Sequence, residues 1–552
     1  MALADRSSRT PAPKGILRFA QDDSRIVPMR LFRTVLVLAV ALGAARLPAA
    51  TLTLLHTSDL HGHVHPYDAL ADADRGEGLA RVAAAVRAIR AQGAPVLLLD
   101  SGDTIQGAPT QALVFSGRIG DGSDPIVRAM NLMGYDAMAI GNHEFDFGVA
   151  RLEASRREAR FPWLSANTLG ADGEPVFPPY AIREIGGVRF GILGLVTPHV
   201  AHWESPALLG SVHFGDSVAA ARRWVPILRG REHCDLVVVL AHESFERDPK
   251  TGVERADNGE NQAYALATQV EGIDFLLSGH AHAIIAPTRL GKTWVSQPGR
   301  WGNTLTRFDV TLEQTDGRWA VAAVSGRNLP MKRVAPDPEV VAAVAAEHDA
   351  TMRVLGEPVA DLETPVSARG ARRQDTALLD WLHAVQLREG KAALSFCSLL
   401  PAELPDWPAG PLTVRQIWAF YPYENGLVTL EATGRQVRAA LERSAGCVAR
   451  PNELGRNCDT LAGAEYVLDL SKPAGHRVAS LRRGGRDVAD DDVLLVAVNS
   501  YRASGGGGYP MWESGRRVSE KGNLRDLLVA DARAKTRLRL EADGNWKVVG
   551  AP

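Results

Sequence analysis

Six short apolar runs constrain the fold of this chain more than any other sequence feature. They are segments 52–56, 96–100, 137–140, 190–196, 236–240 and 275–277. Apolar runs of this length that do not alternate with polar residues are typical of strands buried on both faces. Stretches between them, such as residues 78–89, show helical spacing. The pattern predicts an α/β layered domain, and the functional residues of such sheets lie in the loops after the strands.

The histidines are concentrated in these loops. Of the 15 His in the chain, 12 lie between His56 and His282. Asp, His and Asn provide oxygen and nitrogen ligands for divalent cations, whereas one His after a strand is weak evidence on its own. We expect five loop motifs to converge on one metal centre: Asp59-Leu-His61, Gly102-Asp103, Gly141-Asn-His-Glu144, Ala241-His242 and Gly279-His-Ala-His282.

The order of these motifs, D-x-H, GD, GNHE, H and GH-x-H, resembles that of the calcineurin-like metallophosphoesterases. The resemblance implies a four-layer αββα domain that holds two divalent metal ions. Two cations about 4 Å apart would promote in-line attack on phosphorus and neutralise charge on the phosphoryl oxygens. A ligand set without Cys accepts Zn, Mn, Co or Fe. The resemblance implies Asp103 as the bridging ligand, Asp59, His61 and His282 as the other ligands of one ion, and Asn142, His242 and His280 as those of the second.

Two residues beside the ligand Asn142 have an implied catalytic role. The resemblance implies that His143 contacts the phosphoryl group or protonates the leaving oxygen, and that Asp146 orients it. A carboxylate behind an imidazole fixes the tautomer and raises the pKa of the ring, as a proton donor requires. The alternative is that His143 is only a structural neighbour of the metal loop. His63 and His65 match no ligand position and are interpreted as loop residues.

Two aromatic motifs mark the second half of the chain. Tyr421-Pro-Tyr-Glu-Asn425 and Tyr501-Arg-Ala-Ser-Gly-Gly-Gly-Gly-Tyr509 place aromatic residues beside turn residues and glycines. Two aromatic faces can stack on a flat base, and glycines allow close approach to the backbone. Taken alone, the motifs also fit a flexible turn with two half-buried tyrosines. No GK[ST] follows the glycines, so the run is not a P-loop.

With the metal motifs, the chain resembles the bacterial 5'-nucleotidase family, which implies a smaller α/β C-terminal nucleotidase domain. It is most similar to the branch of 2',3'-cyclic-nucleotide 2'-phosphodiesterase/3'-nucleotidases. Many 5'-nucleotidases have a Gly-Gly-Ile-Arg-like segment and a ribose-binding Asp, where this chain has Ser398-Leu-Leu-Pro-Ala402 and Gly507. The resemblance implies that the substrate-binding residues are Tyr423, Tyr501, Arg502, Ala503, Ser504, Gly505, Gly506 and Gly507.

The first fifty residues differ from the rest. Residues 1–28 are polar and aperiodic and are interpreted as an upstream leader, with Met29 as the true start. A basic segment at 29–33, an apolar run at 34–42 and small residues before position 51 are typical of a signal peptide. The alternative is a short membrane-facing or buried helix, although the run is too short for a permanent membrane anchor. We therefore expect a periplasmic or secreted protein.

Four cysteines are present in this predicted exported chain, where disulfides can form. Cys447 and Cys458 bracket a segment rich in Pro, Asn and Gly and are the expected pair. Cys234 precedes an apolar run and is expected to be a small buried residue. We divide the chain into a leader (1–28), a signal peptide (29–50), a dimetal domain (51–335), a linker helix (336–365) and a substrate-binding domain (366–550).

Charge limits the partners of the chain. The formal net charge is -2, and loss of residues 1–50, which hold eight Lys/Arg and three Asp/Glu, would make it -7. Such a surface does not attract nucleic acid polymers or anionic lipid. The sequence predicts a hydrolase of 2',3'-cyclic nucleotides and 3'-nucleotides. One alternative is a 5'-nucleotidase or UDP-sugar hydrolase, and another is an inactive nucleotide-binding protein.

Overall fold

The computed structural model describes residues 50–255, 259–315, 317–401, 403–450 and 457–550. The predicted leader, and the predicted signal peptide up to position 49, lie outside these residues. Within the described ranges, no helix has both the length and the apolar character needed to cross a bilayer.

The first sheet contains the first three predicted strands. Its central strands run parallel, because each is connected to the next through helices, and a long antiparallel hairpin is added at one edge. Its order across the sheet is Arg318–Pro330, Thr304–Thr315, Ala50–Thr57, Val96–Asp100, Ala137–Ala139 and Trp163–Leu164.

The second sheet contains the other three predicted strands, and these also run parallel at its centre. A parallel strand follows on one side, and antiparallel strands close both edges. Its order is Ile284–Leu290, Thr293–Pro298, Phe275–Ser278, Leu236–His242, Val188–Val196 and Tyr180–Ile185.

An apolar core joins the two sheets face to face. Leu54 and Leu99 of the first sheet pack in one buried cluster with Ile192 and Val238 of the second. Helices that include Leu79–Arg90, Pro125–Met133 and Pro338–Gly356 cover the outer face of the first sheet, and Ser217–Gly230 and Ala263–Gln269 cover that of the second. The predicted four-layer αββα arrangement is confirmed.

The C-terminal part is a smaller α/β region built on a five-stranded sheet. The order of that sheet is Thr460–Ala462, Leu394–Cys397, Val493–Asn499, Gly426–Thr433 and Arg516–Asn523. Helix Gly434–Ala449 packs on one face and Ala377–Gly390 on the other. Two smaller sheets complete it: Gly410–Thr413, Pro358–Leu362 and Arg537–Leu538; and Arg486–Asp487, Val478–Arg483, Glu465–Asp469 and Trp546–Val549.

Shorter elements connect these layers. The other helices of the described residues are Pro109–Phe115, Val149–Glu158, Pro206–Leu209, Val414–Phe420, Ser500–Ala503 and Leu524–Lys535, with single 3-10 turns at His143–Phe145, Val200–His202 and Pro510–Trp512. The paired short strands are Tyr67–Asp68 with Ala73–Asp74, and Thr168–Leu169 with His213–Phe214.

The N-terminal and C-terminal parts share a buried apolar core. Leu113 of helix Pro109–Phe115 packs in the same cluster as Trp418 and Leu528 of the C-terminal part. A disulfide joins Cys447 to Cys458, as predicted, with the two Cα atoms 5.3 Å apart. Cys234 is buried, also as predicted. The shared apolar cluster places the second part of the chain against the first.

The hairpin Thr304–Thr315 and Arg318–Pro330 is the largest structure missing from the sequence interpretation. Its outer strand contains Arg, Ser, Gly and Asn, and the residues of that strand are exposed or half-buried. An edge strand that faces solvent has no need of a continuous apolar run, so the pattern used to find the central strands does not detect it.

Replacing Phe308 by Ala should strongly destabilise the protein. Phe308 is fully buried between the sheets, and its ring centroid lies 5.4 Å from that of Phe275. Loss of the ring leaves a cavity, so we expect the free energy of unfolding to fall by about 3–5 kcal/mol. Thermal and urea unfolding measure the change. Val253→Ala is the control, because Val253 is 65% exposed; equal stability of the two variants would contradict the two-sheet core.

Candidate metal centre

The predicted ligands lie at the carboxyl ends of the central strands of both sheets. Parallel strands end at the same edge, so the loops that follow them meet. Ligand atoms of Asp59, His61 and His282 lie within 4.8 Å of one another, and so do those of Asp103, His242 and His280. Asn142 joins the second group, with Oδ1 3.1 Å from Nε2 of His242. The two sheets thus bring all seven residues together.

The backbone at these positions adopts a rare conformation. Ten described non-glycine residues have positive φ angles, and five of them are predicted ligands. Left-handed backbone costs free energy for residues with a Cβ, and it persists where surrounding structure imposes it, often at functional sites. The five ligands are Asp59 (53°), His61 (48°), Asp103 (58°), His280 (75°) and His282 (58°). The loops are therefore shaped to present these side chains.

Glu144 holds two of the ligand loops together. Its carboxylate accepts hydrogen bonds from the backbone N–H groups of Asp103 (2.9 Å), Thr104 (2.5 Å), Ile105 (3.2 Å) and Gly141 (2.6 Å). A Cβ at Gly141 would overlap Asp103, so only glycine permits this approach. Glu144 has no role that its sequence position alone predicts, although its place in the GNHE motif is a signal for one.

The donor set around His242 fits a cation. Nδ1 of this buried ring donates to the carbonyl oxygen of Ser101 at 2.7 Å, so Nε2 holds the lone pair whenever the ring is neutral. That nitrogen faces Asp103 Oδ2 at 3.0 Å and Asn142 Oδ1 at 3.1 Å, which are both acceptors. Burial lowers the pKa of His242, but the Asp103 carboxylate outweighs it and raises that pKa to about 9. The Asp103 carboxylate therefore favours a positive charge at Nε2 of His242.

The first group of ligands shows the same preference. Nδ1 of His61 donates to the carbonyl oxygen of Gln106 at 2.9 Å, and Nε2 of His61 lies 2.9 Å from Nε2 of His282. Burial lowers the pKa of His61 to about 3 and that of His282 to about 2, so both rings are neutral. Burial also raises the pKa of Asp59 to about 7. The Nε2 lone pair of His61 and the carboxylate of Asp59 lie together here, as a divalent cation requires.

His143 and Asp146 form a hydrogen-bonded pair beside the ligands. Nδ1 of His143 lies 2.9 Å from Asp146 Oδ2, and the backbone N–H of His143 donates to Asp103 Oδ1 at 2.9 Å. Burial lowers the pKa of His143, but Asp146 and Asp103 outweigh it and raise that pKa well above its usual value. The side chain is 29% exposed. His143 can therefore present a proton at Nε2.

Glu204 extends this pair and was missed by the sequence interpretation. Burial and the neighbouring Asp146 carboxylate raise the pKa of Glu204 well above its usual value, so it keeps its proton and hydrogen-bonds to Asp146. Glu204 lies in no recognisable motif, and only the folded chain brings it to Asp146. Its hydrogen bond helps to fix the carboxylate that holds His143.

Two half-buried tyrosines of the C-terminal part border the metal centre. Burial raises the pKa of Tyr501, and the nearby Glu260 carboxylate and Tyr423 hydroxyl raise it further. Glu424, beside Tyr423, is close enough to Asp146 for that carboxylate to add to the effect of burial in raising the pKa of Glu424. The aromatic motifs therefore approach the loops of the N-terminal sheets.

The glycine-rich loop departs from the prediction at Arg502. The sequence predicts Arg502 as one of the substrate-binding residues, but its side chain is 2% exposed and donates to both oxygens of Asp459 at 2.8 and 2.9 Å. Ala503 and Gly506 are also buried, and a Cβ at Gly506 would overlap the ring of Tyr501. Arg502 holds the loop from inside the domain. Tyr501, Ser504, Gly505 and Gly507 are partly exposed.

The remaining histidine predictions agree with the geometry. The ring of His63 stacks on Trp301 at a centroid distance of 4.5 Å, and that of His65 stacks on His348 at 3.6 Å. Neither belongs to the groups of potential metal ligands among the described residues.

Comparison with known families gives two matches. Residues 52–283 match the calcineurin-like phosphoesterases, and residues 354–514 match the 5'-nucleotidase C-terminal domain. The resemblance drawn from the sequence is confirmed on both halves of the chain.

Named relatives cover nearly the whole chain. A 2',3'-cyclic-nucleotide 2'-phosphodiesterase/3'-nucleotidase of Salmonella typhimurium is 29% identical and covers 93% of this chain and 91% of its own. The trifunctional nucleotide phosphoesterase YfkN of Bacillus subtilis is 28% identical over 91% of this chain, which spans only 39% of that longer protein.

Solved structures agree with the fold. A Staphylococcus aureus protein assigned as a 5'-nucleotidase superposes with a TM-score of 0.80 at 25% identity, covering 90% of this chain and 100% of its own. A 5'-nucleotidase precursor from Thermus thermophilus superposes with a TM-score of 0.65 at 26% identity. The superposition covers 91% of this chain and 100% of the precursor.

His242→Ala should reduce the divalent metal content of the protein, because it removes a buried nitrogen from the second group of ligands. The fold implies divalent ions, and metal analysis after dialysis measures how many remain bound. His65→Ala is the matched control, since His65 follows the same strand as the first ligands but stacks on His348. Equal metal content in both variants would contradict the ligand assignment.

Proposed function

We propose that this chain, a phosphoric ester hydrolase that belongs to the 5'-nucleotidase family of calcineurin-like phosphoesterases, is an exported nucleotide phosphohydrolase. Its proposed substrates are 2',3'-cyclic nucleotides and 3'-nucleotides, which it converts to nucleoside and phosphate. The observation that carries the proposal is the position of two half-buried tyrosines, Tyr423 and Tyr501, beside seven converging ligand residues. A base and a phosphoryl group can be bound there together.

Two observations support the proposed position of the phosphate on the 2'- and 3'-oxygens of the substrate. The Salmonella relative named for cyclic phosphodiesterase and 3'-nucleotidase activity aligns over 91% of its length. Gly507 stands where many 5'-nucleotidases have a ribose-binding Asp, so a carboxylate contact to the sugar is missing at that position. The two solved 5'-nucleotidase structures favour 5'-nucleotidase or UDP-sugar hydrolase activity as the alternative. The same metal centre would serve either reaction.

Divalent metal ions are implied by the fold, and we propose two. Asp103 would be shared, with Asp59, His61 and His282 on one ion and Asn142, His242 and His280 on the other. When bound, the ions supply the positive charge and Lewis acidity that an acidic chain needs to bind and activate a phosphate ester. The oxygen and nitrogen ligands accept Zn, Mn, Co or Fe.

His143 supplies the proton in the proposed reaction. Water attacks phosphorus and releases one proton to solvent, the bond from phosphorus to the 2'-oxygen breaks, and the Nε2 proton of His143 passes to that oxygen, which leaves a 3'-phosphate. His143 then regains a proton from solvent. Asp146 holds Nδ1 at 2.9 Å throughout, and it stabilises the protonated ring before transfer. A second round breaks the bond to the 3'-oxygen and releases nucleoside and phosphate.

The C-terminal part binds the nucleoside in this proposal. Tyr423 and Tyr501 stack on the base, which contributes about 1–3 kcal/mol per stacked base. The backbone of residues 504–507 lines the sugar, and Arg502 and Ala503 support that loop from within. The dimetal domain would span residues 51–335 and the substrate-binding domain residues 366–550. The predicted linker helix, 336–365, is shorter in the structure, where helix Pro338–Gly356 is followed by strand Pro358–Leu362.

Export is part of the proposal. The basic and apolar segments at 29–50 and the disulfide Cys447–Cys458 support a periplasmic or secreted location. No nucleic acid polymer and no permanent membrane anchor are proposed as partners.

Initial rates on four substrates test the function. With metal restored after EDTA treatment, we expect 2',3'-cyclic AMP and 3'-AMP to be hydrolysed faster than 5'-AMP and UDP-glucose. Released phosphate and nucleoside are quantified by chromatography, and the EDTA-treated protein is the control. Faster hydrolysis of 5'-AMP would replace the proposed substrate by the alternative. Absence of metal-dependent hydrolysis of any of the four would leave only a nucleotide-binding protein.

His143→Ala should retain both metal ions and lose turnover. General acid catalysis by a positioned side chain contributes about 10²–10⁴-fold, so kcat is expected to fall by that factor. Asp146→Asn should lower kcat by a smaller factor, because the ring stays while its charged partner is lost. Turnover is compared with that of His65→Ala, and metal content is measured on the same samples. Unchanged kcat in His143→Ala would assign this residue a purely structural role.

A further inference from the structure

We propose that Glu260 is a positioning residue that orients the imidazole of His280, so that Nδ1 of that ring is presented to a metal ion. This inference rests on the proposed metal centre and adds to it a residue outside the sequence motifs. Glu260 lies in the segment 259–262 that precedes helix Ala263–Gln269.

The contact that carries the inference is a hydrogen bond to one ring nitrogen. Nε2 of His280 lies 2.8 Å from Oε1 of Glu260, with side-chain exposures of 11% and 31%. A carboxylate accepts, so Nε2 carries the hydrogen and donates it. The lone pair of the neutral ring is then on Nδ1, which is the nitrogen left for a cation.

The other two ring ligands with acceptor partners are arranged in the opposite sense. His61 and His242 donate from Nδ1 to the backbone carbonyl oxygens of Gln106 and Ser101, so Nε2 is the nitrogen that faces the other candidate ligands. His280 instead uses Nε2, and its acceptor is a side chain. A carboxylate partner makes an imidazole a more basic ligand than a carbonyl partner does, and it can be removed by substitution.

Other contacts also hold the His280 ring in place. The hydrogen bond to Glu260 therefore determines which ring nitrogen faces the metal ion. The backbone N–H of His280 donates to Asp59 Oδ1 at 3.0 Å. The ring also contacts those of Trp203 and His242, at centroid distances of 5.2 and 5.3 Å. Among the described residues, Glu260 is the one that hydrogen-bonds to Nε2 of His280, so its removal leaves no partner that keeps the hydrogen on Nε2.

Glu260 is held in place by its own segment. Its carbonyl oxygen accepts a hydrogen bond from Thr197 Oγ1 at 2.7 Å. Oδ1 of the next residue, Asn261, accepts from the backbone N–H of Ser244 at 2.7 Å, and Nε2 of Gln262 donates to Asp216 at 2.8 Å. The segment is therefore anchored to both neighbouring loops, as a positioning residue requires.

Metal affinity tests the inference apart from catalysis. Zn²⁺ binding to wild-type and Glu260→Ala protein is measured by competition with a chelator of known affinity. Loss of a partner of this kind typically weakens metal binding about 10–100-fold, so one of the two ions should be released that much more easily. Glu260→Gln keeps an acceptor oxygen, so the loss of Zn²⁺ affinity in this variant should be smaller than in Glu260→Ala. The control is Glu254→Ala, since Glu254 is on the same connection and is 74% exposed.

The ring tautomer provides a second measurement that requires no variant. Nitrogen-15 NMR of the Zn²⁺-loaded wild-type protein should show hydrogen on Nε2 of His280 and on Nδ1 of His61 and His242. Hydrogen on Nδ1 of His280 would overturn the inference, as would wild-type Zn²⁺ affinity in a folded Glu260→Ala variant. If the wild-type protein binds no Zn²⁺, the metal centre itself fails and the role of Glu260 fails with it.

Discussion

The buried carboxylate of Asp103 is the constraint on which this structure depends. Asp103 is 1% exposed, and although burial raises its pKa, His242 and His143 outweigh that effect and hold the pKa well below its usual value. A buried charge is costly unless other charges and hydrogen-bond donors surround it. The loops from both sheets supply these partners, at the cost of left-handed backbone at five ligand positions.

The C-terminal part of the chain places two aromatic loops beside this charged centre. In the proposed function, the metal centre alone would bind any accessible phosphate ester, and the loops around Tyr423 and Tyr501 would restrict the rest of the substrate. Their position follows from the shared apolar core, in which Leu113 contacts the same cluster as Trp418 and Leu528. Burial of this apolar surface holds the aromatic loops against the metal centre.

Much of the fold and the clustering of the candidate ligands could be predicted because both depend on local pattern. Buried parallel strands leave continuous apolar runs, and the residue after each run lies at a known edge of the sheet. Glu144, Glu204 and Glu260 could not be assigned in this way. Each acts through a partner that is brought close by folding, and a lone Glu in a loop carries no spacing signal. Arg502 was misassigned for the same reason: beside glycines it looks accessible, but Asp459 holds it inside the domain.

Anomalous diffraction from crystals of the Mn²⁺-loaded protein tests the central claim most directly. Two cations that share a carboxylate should give two anomalous peaks about 4 Å apart, one on each side of Asp103. One peak should be bounded by Asp59, His61 and His282, and the other by Asn142, His242 and His280. A single peak, or peaks away from Asp103, would contradict a dimetal centre built on these strand ends.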